Sequence, residues 1–253
     1  CGLPCQVHAI RKLQAAGWEG SERVGPVVGI YCGNNLYYEA TRTMLRKLGV
    51  SSLDEVEHLS YREGEWPGEF SVTTRDGRRR AVSKLDFNQA IPFFINRRCL
   101  FCVDLTNELA DISIGDGWSK EGSGEGGWSV VIARTPEGEE EIARALDSGR
   151  IKGEEIPLDE LVPMHSHAFD LKKPGAWTRI ASWKRLGYQV PVYDVAPVRA
   201  GRGRRLAEAV ISAQFMFCGS KAGRLLFRVM PAGLMGSFFR WLRKIWMRAT
   251  TDR

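Results

Sequence analysis

Between Cys99 and Ser129 the chain reads CLFCVDLTNELADISIGDGWSKEGSGEGGWS, and this stretch constrains the fold more than any other. Cys99 and Cys102 are spaced so that two thiolates can address one soft metal from a single turn of backbone. Asp111–Ile114 then reads as a short strand, spilling into a loop where glycine recurs at 115, 117, 122, 124, 126 and 127. Such a glycine density lets backbone amides approach a phosphate or a planar ring without side-chain interference. A metal and an organic cofactor side by side suggest electron transfer.

Bulk properties narrow the field. With 43% hydrophobic and 26% charged residues in 253, the chain can bury a proper core. The net charge of +6 is unevenly placed: Lys221 to Arg253 carries a net of +7, so the rest sums to about −1. The basicity therefore belongs to the tail and gives no argument for nucleic acid as a partner. Six cysteines, at 1, 5, 32, 99, 102 and 218, accompany no visible signal peptide. A reducing, cytoplasmic setting with metal-held thiolates is the expectation. No apolar run long enough for a transmembrane helix occurs. The sequence opens on Cys1 at the threshold of a motif, so a preceding N-terminal part is expected.

Along the chain, Val7, Ile10 and Leu13 predict a helix stopped by Gly17, with Cys5 near its N-terminus. There the exposed amides favour a thiolate. Pro26–Tyr31 predicts a buried strand that delivers Cys32 to the turn Gly33-Asn34-Asn35. Tyr37, Ala40, Met44 and Leu48 form one helical stripe closed by Gly49. After the rigid corner Trp66-Pro67-Gly68, residues 69–84 read as a hairpin about Asp76-Gly77. Trp128–Arg134 is a strong strand, and Glu139–Leu146 a helix ended by Gly149. Strands and helices mix without strict alternation, which predicts an α+β body with mixed sheets. Beyond Asp170 the pattern turns helical. Trp177, Ile180, Trp183 and Leu186 share a face, Leu206–Phe217 is largely apolar, and Phe238–Ala249 is a basic amphipathic helix with interfacial tryptophans. The expected division is a cofactor domain over 1–168 and a helical extension over 169–253.

The spacing of Cys99 and Cys102 alone leaves iron–sulfur, half a zinc site, a redox pair or two ordinary buried cysteines open. Cys5 and Cys32 complete a set of four, each beside a turn or helix end, as a cubane cluster requires. Cys218, in an apolar helix, is expected in the core, and Cys1 is a spectator. Trp118 and Trp128 bracket the glycine loop, which suits a ligand cradle as well as it suits a surface excursion; it matches neither a dinucleotide fingerprint nor a P-loop. His8 is a candidate neighbour of Cys5, His58 is expected exposed, and His165 with His167 is read on one side of a strand. No catalytic role is assigned to any of them. Asp111 and Asp116 flank the strand as positioning or turn residues.

Several blocks in one order resemble a known family: Leu3-Pro4-Cys5-Gln6, Val28–Cys32, Tyr61-Arg62, Trp66-Pro67-Gly68, Cys99-x-x-Cys102-x-Asp104, Glu108–Gly115, and Gly127–Ile132 through Arg134-Thr135 to Gly138. Together, over roughly residues 2–165, they resemble the beta subunits of coenzyme F420 hydrogenase and dehydrogenase. The resemblance implies FAD and a [4Fe-4S] cluster, with Cys5, Cys32, Cys99 and Cys102 as ligands. It further implies a flavin pocket that includes Gly115, Asp116, Gly117, Trp118, Gly126, Gly127, Trp128 and Ser129. Electrons would pass between a hydride carrier, coenzyme F420 among the candidates, and a partner redox subunit or ferredoxin. No catalytic side chain is assigned beyond the cofactor-holding set. The family's upstream portion is expected to lie outside this sequence. A competing reading is a zinc-stabilised, non-catalytic binding module docking on a partner or an anionic membrane, and in either case the basic tail suits a peripheral contact to an anionic membrane face as well as it suits a partner-docking helix.

Overall fold

The computed structural model describes residues 1–118 and 126–230. Pro4 fixes the first turn of α1, Pro4–Ala15, and the Gln6 side chain accepts the Leu3 N–H at 2.8 Å to close its open end. β1, Val28–Ile30, follows, and then α2, Glu39–Lys47, which buries Ala40, Met44 and Leu45 and ends at Gly49 with φ of +80°. β2 (Val56–Glu63), β3 (Glu69–Thr74) and β4 (Arg79–Ser83) make an antiparallel meander. Two short helices, α3 (Lys84–Phe87) and α4 (Ile91–Phe94), lead to a 3₁₀ turn at Arg97–Phe101 that carries the first cysteine of the hook.

β5, Ile112–Gly117, lies at the centre of the other sheet, parallel to β1 and antiparallel to β6, Trp128–Ala133. The expected α+β class with mixed sheets is what the chain adopts. One correction concerns the glycines. Gly115 and Gly117 are strand residues, opposite Val130 and Trp128, rather than the start of a loop. The strand continues because the antiparallel ladder with β6 supplies the backbone bonds that glycine's missing side chain cannot replace. α5, Pro136–Asp147, starts earlier than the apolar pattern suggests, since Thr135 caps the Gly138 N–H at 3.2 Å and Pro136 suits a first helical position.

The remaining elements are helical: α6 (Leu158–Met164), α7 (Ser166–Asp170), a π-helical turn at Leu171–Gly175, α8 (Ala176–Arg185), α9 (Arg202–Cys218) and α10 (Lys221–Val229). His165 and His167 therefore sit at a helix junction and on a helix, not on a strand as the sequence suggests. α9 also differs from its apolar reading. Its buried residues are Arg204, Glu208 and Cys218, while Leu206, Val210, Met216 and Phe217 stand exposed. The helix turns its charges inward because they find partners there: Glu208 pairs with Arg179 at 2.5 Å and Arg204 at 2.8 Å, and Arg204 pairs with Asp170 at 2.6 Å. The expected tail helix Phe238–Ala249 and glycines 122 and 124 lie outside the described residues. Among the described residues no helix is long and apolar enough to cross a membrane.

The main core lies between α2, the meander and α4, around Phe70, Phe87, Phe93 and Phe94. Phe70 stacks on Phe87 at 4.6 Å, and Phe93 meets Phe227 of α10 at 4.5 Å. Cys218 is buried in the same cluster, as expected of it. A second cluster puts Ala176 and Ile180 of α8 directly on Phe101 and Val103, so the hook is covered by the C-terminal helices. Phe94 is wholly buried, and Phe94→Ala should destabilise the fold by about 3–5 kcal/mol. Leu206→Ala, on the exposed face of α9, should stay within about 0.5 kcal/mol. Chemical denaturation of both variants checks the pair.

Candidate functional site

The segment from Val103 to Asp111 organises the site, because its polar side chains are buried and bonded to distant strands. Asp104 is 2% exposed; it accepts the Glu108 N–H at 3.0 Å and lies 3.2 Å from Nε2 of His8, one turn after Cys5 on α1. His8 is thus joined to the hook loop. Asn107 is fully buried at φ of +61°, a conformation that asparagine tolerates better than most side chains, and donates to the Gly2 carbonyl at 2.8 Å. A Cβ on Gly29 would lie 2.4 Å from the Asn107 side chain, so a glycine is needed where β1 crosses it. Asp111 accepts from the Val27 N–H at 2.7 Å, Arg11 at 2.8 Å and the Thr135 hydroxyl at 3.1 Å. Three segments remote in sequence are thereby fastened around one loop.

The cysteines ride on those segments. Cys5 lies on the first turn of α1, Cys32 follows β1, and Cys99 and Cys102 bracket the end of the 3₁₀ turn. They are electrostatically coupled. Burial pushes the Cys32 thiol up to about 11, Lys172 opposes that shift, and charge on Cys99, Cys102 and Cys5 adds to it. Cys99 is also raised, chiefly by burial, against the Asn35 N–H and Lys172. The Asn35 N–H donates to Cys99 Sγ at 3.3 Å, and Cys102 Sγ donates to the Asp104 carbonyl at 3.3 Å. All six cysteines are free thiols. Among the described residues no three His, Cys, Asp or Glu side chains gather tightly enough to hold a single metal ion.

The glycines of β5 and the following segment are packed against aromatic rings. A Cβ at Gly115 would lie 2.2 Å from the Tyr31 ring, and one at Gly127, itself at φ of +83°, would lie 2.4 Å from Trp66. At Gly117 the neighbour is the Trp128 carbonyl, 3.2 Å away. Trp66 and Trp118 pack at 4.6 Å, while Arg62 binds Asp116 through two hydrogen bonds of 3.0 and 2.7 Å. Gly126 at φ of +78° begins the second described part of the loop, and Ser129 pairs with Asp116 across the sheet. Around this surface Tyr31 Oη, Trp66 Nε1 and His165 Nε2 are buried without a hydrogen-bond partner among the described residues. Burial pushes the Tyr31 hydroxyl up to about 12 and holds the His165 imidazole below its usual range. A separate pocket of about 440 Å³ is rimmed by Glu63, Glu65 and Glu69 beside Lys84, a poor seat for a phosphate.

Sequence reasoning missed Asp104, Asn107, Tyr31 and Lys172. Asp104 had a signal, standing two residues after the hook. Buried Lys172 had none, since a Lys-Lys pair reads as solvated surface.

This architecture has known counterparts. Residues 1–158 match the family described as the C terminus of the coenzyme F420 hydrogenase/dehydrogenase beta subunit, and the chain belongs to it. The coenzyme F420 hydrogenase subunit beta of Methanococcus voltae is 31% identical over 165 residues, 64% of this chain and 53% of that protein. The protein of the same name from Methanothermobacter thermautotrophicus is 30% identical over 196 residues, 75% of this chain and 64% of that protein. A chain of the F420-reducing [NiFe] hydrogenase complex from Methanosarcina barkeri shares the fold, with a TM-score of 0.54 at 24% identity over 76% of this chain and 63% of that one. The chain thus spans between about half and two thirds of the length of these relatives.

Asp111 gives the site a pH signature. Burial alone would raise its carboxyl, but the Val27 N–H, Arg11 and Thr135 hold it below the usual range. The stability it contributes is complete above an unfolded value of ~3.9 and is lost as pH falls through the lower folded value. Asp111→Asn should cost about 1–3 kcal/mol at pH 7, a gap that narrows below pH ~4. Thermal unfolding of both proteins across pH 2–7, set to ~1 pH unit steps about that range, checks this.

Proposed function

We propose that this chain is the electron-transfer part of a flavin-dependent oxidoreductase, with a [4Fe-4S] cluster on Cys5, Cys32, Cys99 and Cys102. Coenzyme F420 is the hydride carrier in this reading, and a partner subunit exchanges the single electrons. The observation that carries it is the fastening together of the segments that bear Cys5, Cys32, Cys99 and Cys102, through His8 to Asp104, the Cys32 N–H to the Leu105 carbonyl and the Asn35 N–H to Cys99 Sγ, in a chain of this family. The relatives' names support both the carrier and a place within a larger complex.

The donor set fits the cluster chemically. Cysteine is its usual ligand, and a cubane core spaces its sulfurs more widely than one zinc ion does. The Asn35 N–H directed at Cys99 Sγ stabilises negative charge on sulfur and raises the potential of whatever the thiolate holds. Because burial raises the Cys32 and Cys99 thiols, ligation displaces protons and strengthens with rising pH.

For the flavin, residues 115–118 and 126–129 form the facing surface. The unpartnered Tyr31 Oη, Trp66 Nε1 and His165 Nε2 give it hydrogen-bonding capacity that the protein itself leaves unused. Residues 115–118 and 126–129 would hold the flavin, which would supply conversion between a hydride's electron pair and single electrons. A reducing cytoplasm keeps the thiols available for ligation.

Anaerobic reconstitution tests the assignment. The full chain should take up roughly four iron and four sulfide with broad absorbance near ~400 nm. Cys5→Ser and Cys99→Ser should lose most of both, whereas Cys218→Ser, buried in the main core, should retain them. A colourless protein holding one zinc, or equal losses in all three variants, would defeat the ligand set.

A further inference from the structure

Lys172 is 2% exposed on the π-helical turn Leu171–Gly175, beyond the family-matched residues. An unpaired buried ammonium costs several kcal/mol, so a lysine is kept there only against negative charge. The turn's neighbouring charges are paired elsewhere: Lys173 with Glu108, and Asp170 with Arg204. Among the described residues Lys172 has no carboxylate partner. Its charge favours the thiolate forms of Cys32 and Cys99.

Geometry independent of those charges fixes the turn against the hook. The Arg179 guanidinium donates through Nε to the Leu100 carbonyl and through Nη2 to the Leu171 carbonyl, both at 2.6 Å. One planar group therefore ties the backbone between the two hook cysteines to the backbone just before Lys172. Glu208 holds that guanidinium from its third side at 2.5 Å. The turn is also close-packed, since a Cβ on Gly175 would lie 2.8 Å from Arg204 and 2.9 Å from Glu208. Lys173 fastens the same turn to Glu108 in the loop after Cys102. π-helical turns recur at functional positions in helices.

We propose that Lys172 is a positioning residue for electron transfer, a fixed positive charge that raises the reduction potential of the centre held by Cys5, Cys32, Cys99 and Cys102. The proposal rests on the cluster reading above. Reduction adds one electron and one negative charge to the thiolate-bound centre, breaks no bond and takes up no proton. A buried ammonium on a turn tied to the hook backbone favours the more negative state.

The test uses the full chain reconstituted anaerobically as wild type, Lys172→Met, Lys172→Gln and Lys172→Arg. Iron and sulfide are counted, folding is followed by circular dichroism, and the midpoint is read by EPR-monitored titration with dithionite. Both neutral variants should hold the wild-type iron and sulfide, with the reduced form disfavoured at least tenfold, a midpoint ~59 mV lower for a one-electron couple. Arginine should restore most of the difference. Neutral variants that fold but assemble no centre, while arginine does, would support the role in a stronger form. An unchanged midpoint in the neutral variants, or an arginine variant that behaves like them, overturns it. Unfolding of both neutral variants while arginine folds would assign the charge to stability and also overturn it. A wild-type chain that takes up no iron would instead defeat the underlying cluster assignment.

Discussion

The structure depends on a buried polar loop. Asp104, Asn107 and Asp111 lie within a few residues of one another, are nearly or wholly withdrawn from solvent, and bond to α1, β1, the opening residues and the segment after β6. Each bond is modest alone, yet leaving any of these groups unpaired in a low-dielectric interior costs far more than the bond contributes. Apolar packing tolerates small displacements; this network does not. It fixes the register in which α1, the end of β1 and the 3₁₀ turn meet, and so the arrangement of the four thiols.

The second support comes from the far end of the chain. α8 and α9 approach the hook with charged side chains, Arg179, Arg204 and Glu208, that saturate one another in the interior. Buried ion pairs of this kind are weak sources of net stability, but removing one member leaves a bare charge, so they specify arrangement strongly. Here the arrangement specified is that of the Leu100 and Phe101 carbonyls, bound by Arg179 and by the Tyr193 hydroxyl. The helices beyond the family-matched segment are thus part of the hook's surroundings.

Much of this is legible in the sequence where local physics decides. Gly49 ends α2, the Asp76-Gly77 turn joins β3 to β4, and the apolar run of β6 reads as a strand. β2 is not legible, because bulges between Val56 and His58 and between Ser60 and Glu63 break the alternation that marks a strand. The glycines of β5 read as permissive for a ligand. At Gly115 the space belongs to the Tyr31 ring, a tertiary fact that no spacing encodes. The cysteine set stands out by residue type. Its electrostatic surroundings do not, since a lysine, an arginine and a glutamate that bury themselves look in sequence like any solvated helix face.

The bond from Arg179 to the Leu100 carbonyl carries a consequence for the order of events in the cell. Synthesis delivers Cys5, Cys32, Cys99 and Cys102 well before it delivers the guanidinium and phenol that shape the backbone between and beside the last two. A nascent chain paused after the hook lacks the bonds that shape this turn. Completion of the helical half supplies the bonds that shape the backbone between and beside the last two.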